Sequence, residues 1–119
     1  MDRIVLPGPV ARYVSRLVGA THPASPEATE KVNTYVSLGA SPRAAIAIAE
    51  ASRAYALVRG RPTVCFDDVR HVATHALNHR IIMNYKARMD RTDPYAVIDE
   101  VLSTLDETGL NLPANMEIR

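Results

Sequence analysis

Gly39-Ala40-Ser41-Pro42-Arg43-Ala44 precedes an alanine-rich run from Ala45 to Ala56, and together these segments predict the principal helix of the protein. Ser41 is a preferred N-cap residue, because its hydroxyl can accept a hydrogen bond from an unpaired N–H of the first helical turn. Pro42 fits the first helical position, where its missing N–H costs nothing and its φ is already helical. We therefore predict a helix from Pro42 to Arg59, with Gly60 favouring its end.

Arg43 falls in the first turn of this helix, where the helix dipole already presents partial positive charge. A cation is unfavourable there by about 0.3–1 kcal/mol unless something compensates for it. An anion such as phosphate would suit the free N–H groups, the dipole and the guanidinium together. The alternatives are that Arg43 reaches back to a carboxylate of its own domain or lies in solvent.

Three further helices are indicated by apolar residues spaced at i, i+3, i+4, i+7 and i+8 or by helix-start signals. The first helix is predicted over Gly8 to Ala20, and another begins after Phe66, with Asp67 and Asp68 in its first turn. A fourth opens at Asp93-Pro94 and is expected to end at Gly109. Its predicted apolar face carries Tyr95, Ile98, Leu102 and Leu105, and its predicted outer face carries Asp99, Glu100 and Asp106. The fold class is thus all-α, a small helical bundle of about four main helices with short extended segments.

The alanine-rich helix has small residues on more than one face, so we expect other helices to surround it. We interpret Thr21 to Leu38 as a loop, with Thr34-Tyr35-Val36 briefly extended. The stretch from Asn78 to Asn84 is typical of a frayed helix end followed by a short extended piece. Basic residues then follow in a predicted loop, and the tail from Leu110 to Arg119 is expected to be weakly ordered. The basic residues of this loop are Lys86, Arg88 and Arg91.

Length and composition indicate one soluble globular domain of 119 residues. The formal net charge of +1 is not typical of a general nucleic-acid binder. A single cysteine, Cys65, excludes an internal disulfide and fits a reducing compartment, so we expect a cytoplasmic location. We expect no membrane partner, because no apolar run approaches the length of a membrane span.

Other candidate sites are weaker. His71, His75 and His79 share one helix face at i, i+4 and i+8, which could hold a metal, although a wet polar face is the commoner explanation. Acidic residues in a first helical turn, such as Asp67 and Asp68, are favoured by the dipole and rarely catalytic. We expect Cys65 to be a buried, inert thiol. The sequence contains no G-x-x-x-x-G-K-[ST] loop, so it predicts no complete P-loop nucleotide site.

Four ordered blocks together resemble the C-terminal helical lid of MoxR-type AAA+ ATPases. They are Gly39-Ala40-Ser41-Pro42-Arg43-Ala44, the run from Ala49 to Arg61 that contains Ala49-Glu50-Ala51-Ser52-Arg53-Ala54, then Asp67-Asp68-Val69, and finally His79-Arg80. The firm part of the resemblance spans Gly39 to Arg80, and the spacing of the blocks makes it specific.

The resemblance implies that Arg43 is the sensor-2 arginine, which faces the terminal phosphate of ATP from across the lid boundary. Ser41 and Pro42 would position it at the helix N-terminus. The nucleotide and its Mg²⁺ would then be held by an AAA+ core domain that is absent from this chain, and the complete ATPase would form a ring, expected to be hexameric, acting on an unknown client protein. No catalytic residue is expected in this chain. Residues 1–119 would be one lid domain, with residues 1–7 as hinge or linker and residues 110–119 as tail.

The sequence departs from the family pattern in three places. The loop from Thr21 to Leu38 is longer than in many relatives, Cys65 stands where Thr or Ser usually caps a helix, and Phe66 replaces a proline. A free-standing helical interaction module is the alternative interpretation. Such a module would contact protein, or nucleic acid through Arg80, Lys86, Arg88 and Arg91.

Overall fold

The principal helix begins and ends where its cap and proline signals place it. In the computed structural model, which describes residues 4–105, this helix is α3, Pro42–Val58. The other elements, in chain order, are α1 (Gly8–Ala20), α2 (Glu30–Tyr35), β1 (Val36–Leu38), α4 (Phe66–Asn78), β2 (Ile82–Met83), α5 (Tyr85–Met89) and α6 (Pro94–Thr104). The all-α prediction is confirmed, since β1 and β2 form only a two-stranded antiparallel sheet.

The core lies between α3 and α4, with α1 and α6 packed against them. Tyr55, near the end of α3, stacks on His71 in the middle of α4. Fully buried large side chains come from each of the four longer helices. They include Tyr13, Leu17, Ile48, Leu77 and Ile98.

The prediction that α3 is surrounded by other helices is wrong. Its buried residues form one stripe, Ala44, Ile48, Ser52 and Ala56. On the opposite side Ile46 is 61% exposed and Val58 is 82% exposed. Alanine is compatible with burial and with exposure, so an alanine-rich composition does not show how many faces of a helix are covered.

Two short helices occur where the sequence predicts loops. The segment from Thr21 to Leu38 contains α2, so Thr34 and Tyr35 are helical, and the extended part is β1. The predicted basic loop contains α5, which includes Lys86 and Arg88. Each helix is only five or six residues long, too short to show an apolar period. Their N-caps are visible in the structure: the side chains of Thr29 and Asn84 accept bonds from Val32 N and Ala87 N.

The final helix differs from its prediction at its end and on its inner face. Helix α6 ends at Thr104, earlier than Gly109, and Leu105 is extended. Val97, Ile98 and Val101 are buried, whereas Tyr95 is 45% exposed. Gly109, Asp106 and the predicted tail from Leu110 to Arg119 lie outside the described residues.

No helix within residues 4–105 has both the length and the apolar character that crossing a membrane requires.

Candidate functional site

The N-terminus of α3 is the candidate site. Ser41 occupies the N-cap position with extended backbone (φ −77°, ψ 168°), and Pro42 is the first helical residue, as predicted. The Ser41 side chain makes no capping hydrogen bond, however, so the expected use of its hydroxyl is wrong. Ser41, Pro42 and Arg43 are all exposed, and the first turn of α3 contains no acidic residue. The positive end of the helix therefore faces solvent.

Arg43 makes no hydrogen bond or ion pair with any residue from 4 to 105. An intramolecular carboxylate partner, one of the alternatives from the sequence, is thus not found in the part of the chain that the structure describes. The guanidinium lies beside the unfavourable end of the helix dipole without compensation from these residues. This arrangement leaves Arg43 accessible to an external anion, while its contact with nucleotide stays a prediction.

Hydrogen bonds from the end of α1 hold the start of α3 in place. The Ala40 N–H donates to Thr21 Oγ1 at 2.9 Å, and Thr21 Oγ1 donates in turn to the Val18 carbonyl at 2.6 Å. His22 Nε2 lies 2.7 Å from the Ala40 carbonyl oxygen, so this nitrogen carries the proton and donates it. Both backbone groups of Ala40 are thereby fixed, three residues before Arg43.

Glycine is required at position 39 because any side chain would clash with the end of α1. Its backbone dihedral angles do not require glycine. A Cβ at this position would lie 2.7 Å from the Thr21 carbonyl oxygen and 2.8 Å from the His22 nitrogen. Its φ is not in the left-handed region, which among the described glycines is occupied by Gly60. The glycine lets the segment before α3 lie directly against the end of α1. Thr21 and His22 therefore position the start of α3. The sequence predicts a loop at both residues and does not indicate this role.

Replacing Thr21 with valine should lower the free energy of unfolding by about 1–3 kcal/mol, because the buried Ala40 N–H would lose its acceptor while the side-chain volume is kept. Urea denaturation of the 119-residue chain measures this change. Thr104→Val is the matched control, since Thr104 is exposed near the end of α6 and its hydroxyl donates only to helix carbonyls. Equal effects of the two substitutions would contradict the tethering role of Thr21.

The acidic pair at the start of α4 is structural, as predicted. Asp68 is fully buried, and its carboxylate accepts hydrogen bonds from the Cys65 N–H at 2.9 Å and the Cys65 S–H at 3.3 Å. Asp68 also pairs with Arg61, and Asp67 pairs with Arg70 at 2.8 Å. Cys65 therefore caps α4 at the position where the family pattern has Thr or Ser. Its side chain is half-buried, whereas full burial was expected from the sequence.

His71, His75 and His79 are not grouped to hold a metal ion together, and no other three His, Cys, Asp or Glu side chains are so grouped in the described part of the chain. His71 stacks on Tyr55 with ring centroids 4.1 Å apart. His71 and His75 line an open apolar cleft of about 590 Å³ between α3 and α4. His79 follows the last residue of α4 as its C-cap.

The alternative interpretation assigns four basic residues to nucleic-acid binding, and two of them already interact with groups of this chain. Arg80 donates to the Ala76 carbonyl at 2.9 Å, and Lys86 lies 3.5 Å from Asp90. Arg88 and Arg91 are exposed. Lys86 and Arg88 belong to α5, whereas Arg80 lines the cleft between α3 and α4.

Comparison with known proteins places residues 28–101 in the AAA lid domain family model. The chain is 42% identical over 93 residues to "Chaperone MoxR1" of Mycobacterium tuberculosis, a match that covers 78% of this chain and 25% of that protein. It is 36% identical over 70 residues to the uncharacterized protein YeaC of Bacillus subtilis, covering 59% of this chain and 22% of that protein.

A crystal structure of a "putative ATPase" from Cytophaga hutchinsonii superposes on this fold with a TM-score of 0.83 at 30% identity. The superposition covers 88% of this chain and 32% of the other. The chain thus spans about a quarter of the length of its curated relatives and about a third of that solved chain.

Proposed function

Because this chain belongs to the AAA lid domain family, as a lid of the MoxR type, we propose that it closes over ATP and contacts the γ-phosphate through Arg43. The observation that carries the proposal is the exposed Arg43 at the N-terminus of α3, with no partner among residues 4–105. A phosphate oxygen would accept charge-assisted hydrogen bonds from the guanidinium and offset the charge at the helix end. Ser41 and Pro42 set the start of the helix and hence the place of Arg43.

The remaining parts of the nucleotide site belong, in this proposal, to an AAA+ core domain of the same polypeptide. That core would bind ATP and Mg²⁺ and supply the groups that carry out hydrolysis, and this chain alone would be non-catalytic. The lengths of the relatives support a larger protein, since they are about four times as long as the matched region. We propose a cytoplasmic ATPase that assembles as a hexameric ring. Its proposed chaperone-like activity is in line with the name of the mycobacterial relative.

The lid would move as a rigid body between the ATP and ADP states, with its hinge before Val5. Support comes from the backbone of Val5, which is tied to the segment before α4: its N–H donates to the Pro62 carbonyl at 2.9 Å, and its carbonyl accepts from the Val64 N–H at 2.8 Å. Ile4 is also buried. Ile4 and Val5 would thus belong to the body that moves. The difference in binding free energy between ATP and ADP would shift the population of closed lids.

We expect the purified 119-residue chain to hydrolyse no ATP and to bind nucleotide only weakly, because one arginine and one helix end are a small part of a nucleotide site. A phosphate-release assay and an NMR titration with ATP measure the two properties. In the complete ATPase, deletion of the lid should reduce ATP turnover at least tenfold. Turnover by the isolated chain, or unchanged turnover after deletion, would contradict the proposal.

A further inference from the structure

Exposed apolar side chains are concentrated around α5. Ile82 is 55% exposed, Tyr85 is 73% exposed and Met89 is 65% exposed, all within eight residues of the chain. Leu38, which is 56% exposed, is the register partner of Ile82 in the small sheet. We refer to these four residues, together with the basic side chains of Lys86, Arg88 and Arg91, as the α5 surface.

The backbone directs these apolar side chains outward. Successive residues of β2 point to opposite faces, so Met83 packs inward beside its partner Val36 while Ile82 faces solvent. A register irregularity between Val36 and Leu38 then places Leu38 opposite Ile82 on the outer face. In α5, Tyr85 and Met89 are four residues apart and share the face opposite the buried Ala87.

The segment that carries α5 is rich in basic residues. Residues 82–91 contain three basic residues and one acidic residue, although the whole chain has a net charge of only +1. The acidic residue, Asp90, accepts a hydrogen bond from the Tyr35 hydroxyl at 2.7 Å and lies 3.5 Å from Lys86. The Tyr35 hydrogen bond lowers the pKa of Asp90, and the Lys86 charge lowers it further, so Asp90 stays ionised at neutral pH. Its carboxylate is already engaged by Tyr35 and Lys86.

Two arginines of the α5 surface, Arg88 and Arg91, make no side-chain hydrogen bond or ion pair within residues 4–105. The α5 surface therefore combines a cationic border with exposed apolar side chains. Ile82 and Tyr85 lie at most about 10 Å apart along the backbone, so the two pairs of apolar residues are neighbours in the chain.

We propose that the α5 surface binds an amphipathic helix of a partner protein whose apolar face is bordered by Asp and Glu. The apolar side chains would pack against the ligand's apolar face, and Arg88 and Arg91 would meet its carboxylates. Nucleic acid fits less well, because Leu38, Ile82 and Met89 offer no stacking platform or hydrogen-bond donor to bases. Strand addition is also disfavoured, since β1 and β2 have only three and two residues. This inference does not depend on the role proposed for Arg43.

Two synthetic peptides of about five helical turns test the inference with the 119-residue chain. Both carry Leu along one face, and the remaining positions are Glu in one peptide and Lys in the other. In ¹⁵N–¹H NMR titrations we expect the Leu/Glu peptide to bind at least tenfold tighter than the Leu/Lys peptide. We expect its shift changes to be confined to β1, β2 and α5.

Charge reversal should invert this preference. Arg88→Glu is expected to weaken binding of the Leu/Glu peptide at least tenfold and to strengthen binding of the Leu/Lys peptide. Tyr85→Ser should weaken both. Arg12→Glu, on the exposed side of α1, is the matched control and should change neither affinity. The altered residues are exposed, so a thermal melt should stay near that of the parent chain.

Several results would overturn the inference. They are equal binding of the two peptides, no binding of either, or shift changes located in the cleft between α3 and α4. Tighter binding of duplex DNA or anionic lipid vesicles than of the Leu/Glu peptide, lost in Arg88→Glu, would assign the surface to that ligand instead. Self-association of the chain through α5 would assign it to a second copy.

Discussion

Replacing Arg43 with alanine in the complete ATPase is expected to reduce ATP turnover by roughly ten- to hundredfold. The substitution removes charge-assisted hydrogen bonds to the γ-phosphate, worth about 1.5–3 kcal/mol when the acceptor is an anion. Because ADP lacks this phosphate, ADP affinity should change much less than ATP affinity. Steady-state hydrolysis and nucleotide titrations of the purified ATPase measure both effects.

Two further variants separate this role from a general effect on the lid. Arg43→Lys keeps the charge but loses the planar fork of donors, so its turnover should lie between those of alanine and wild type. Arg53→Ala changes the same residue type ten positions along α3, and we expect it to leave turnover within about twofold of wild type. Turnover of Arg43→Ala near the wild-type value, or an equal loss in Arg53→Ala, would refute the proposed phosphate contact.

The four longer helices could be predicted because their signals are local. Ser41-Pro42 and Asp93-Pro94 mark helix starts within two residues, and the apolar period of α1 extends from Val10 to Val18. The two short helices have less than two turns each, so no period can develop. Their cap residues, Thr29 and Asn84, were the available signal. A search for caps alone would have found them, together with many false starts.

The position of Arg43 could be predicted from the sequence, but the contacts that support the site could not. Arg43 is recognised from its place in the first turn of α3, which depends only on neighbouring residues. The tether of Ala40 to Thr21 and His22 joins groups eighteen or nineteen residues apart, and it exists only once α1 and α3 have packed. The same holds for Asp68, whose buried pairing with Arg61 depends on the path of the connection between α3 and α4. Contacts of this kind follow from tertiary packing, which local patterns do not encode.

Replacing Gly39 with alanine is expected to lower the free energy of unfolding by about 3 kcal/mol, the upper end of the usual cost of overpacking. The added Cβ would lie under 3.0 Å from two backbone atoms, the Thr21 oxygen and the His22 nitrogen, and neither can move without shifting the end of α1. Gly19→Ala is the matched control. Nothing lies within 4 Å of a Cβ there, and alanine favours the helix, so we expect up to about 1 kcal/mol of added stability.

The opposite signs of these two changes distinguish steric exclusion at Gly39 from a general effect of adding a methyl group. Urea denaturation of the parent chain and both variants measures the difference, and equal small effects would disprove the close packing described for Gly39. If a folded fraction of Gly39→Ala persists, relief of the clash must move Ala40 away from Thr21, and the first turn of α3 moves with it. The same substitution in the complete ATPase should then reduce ATP turnover although it leaves Arg43 in place, because a guanidinium displaced by about 1 Å loses its alignment with the phosphate.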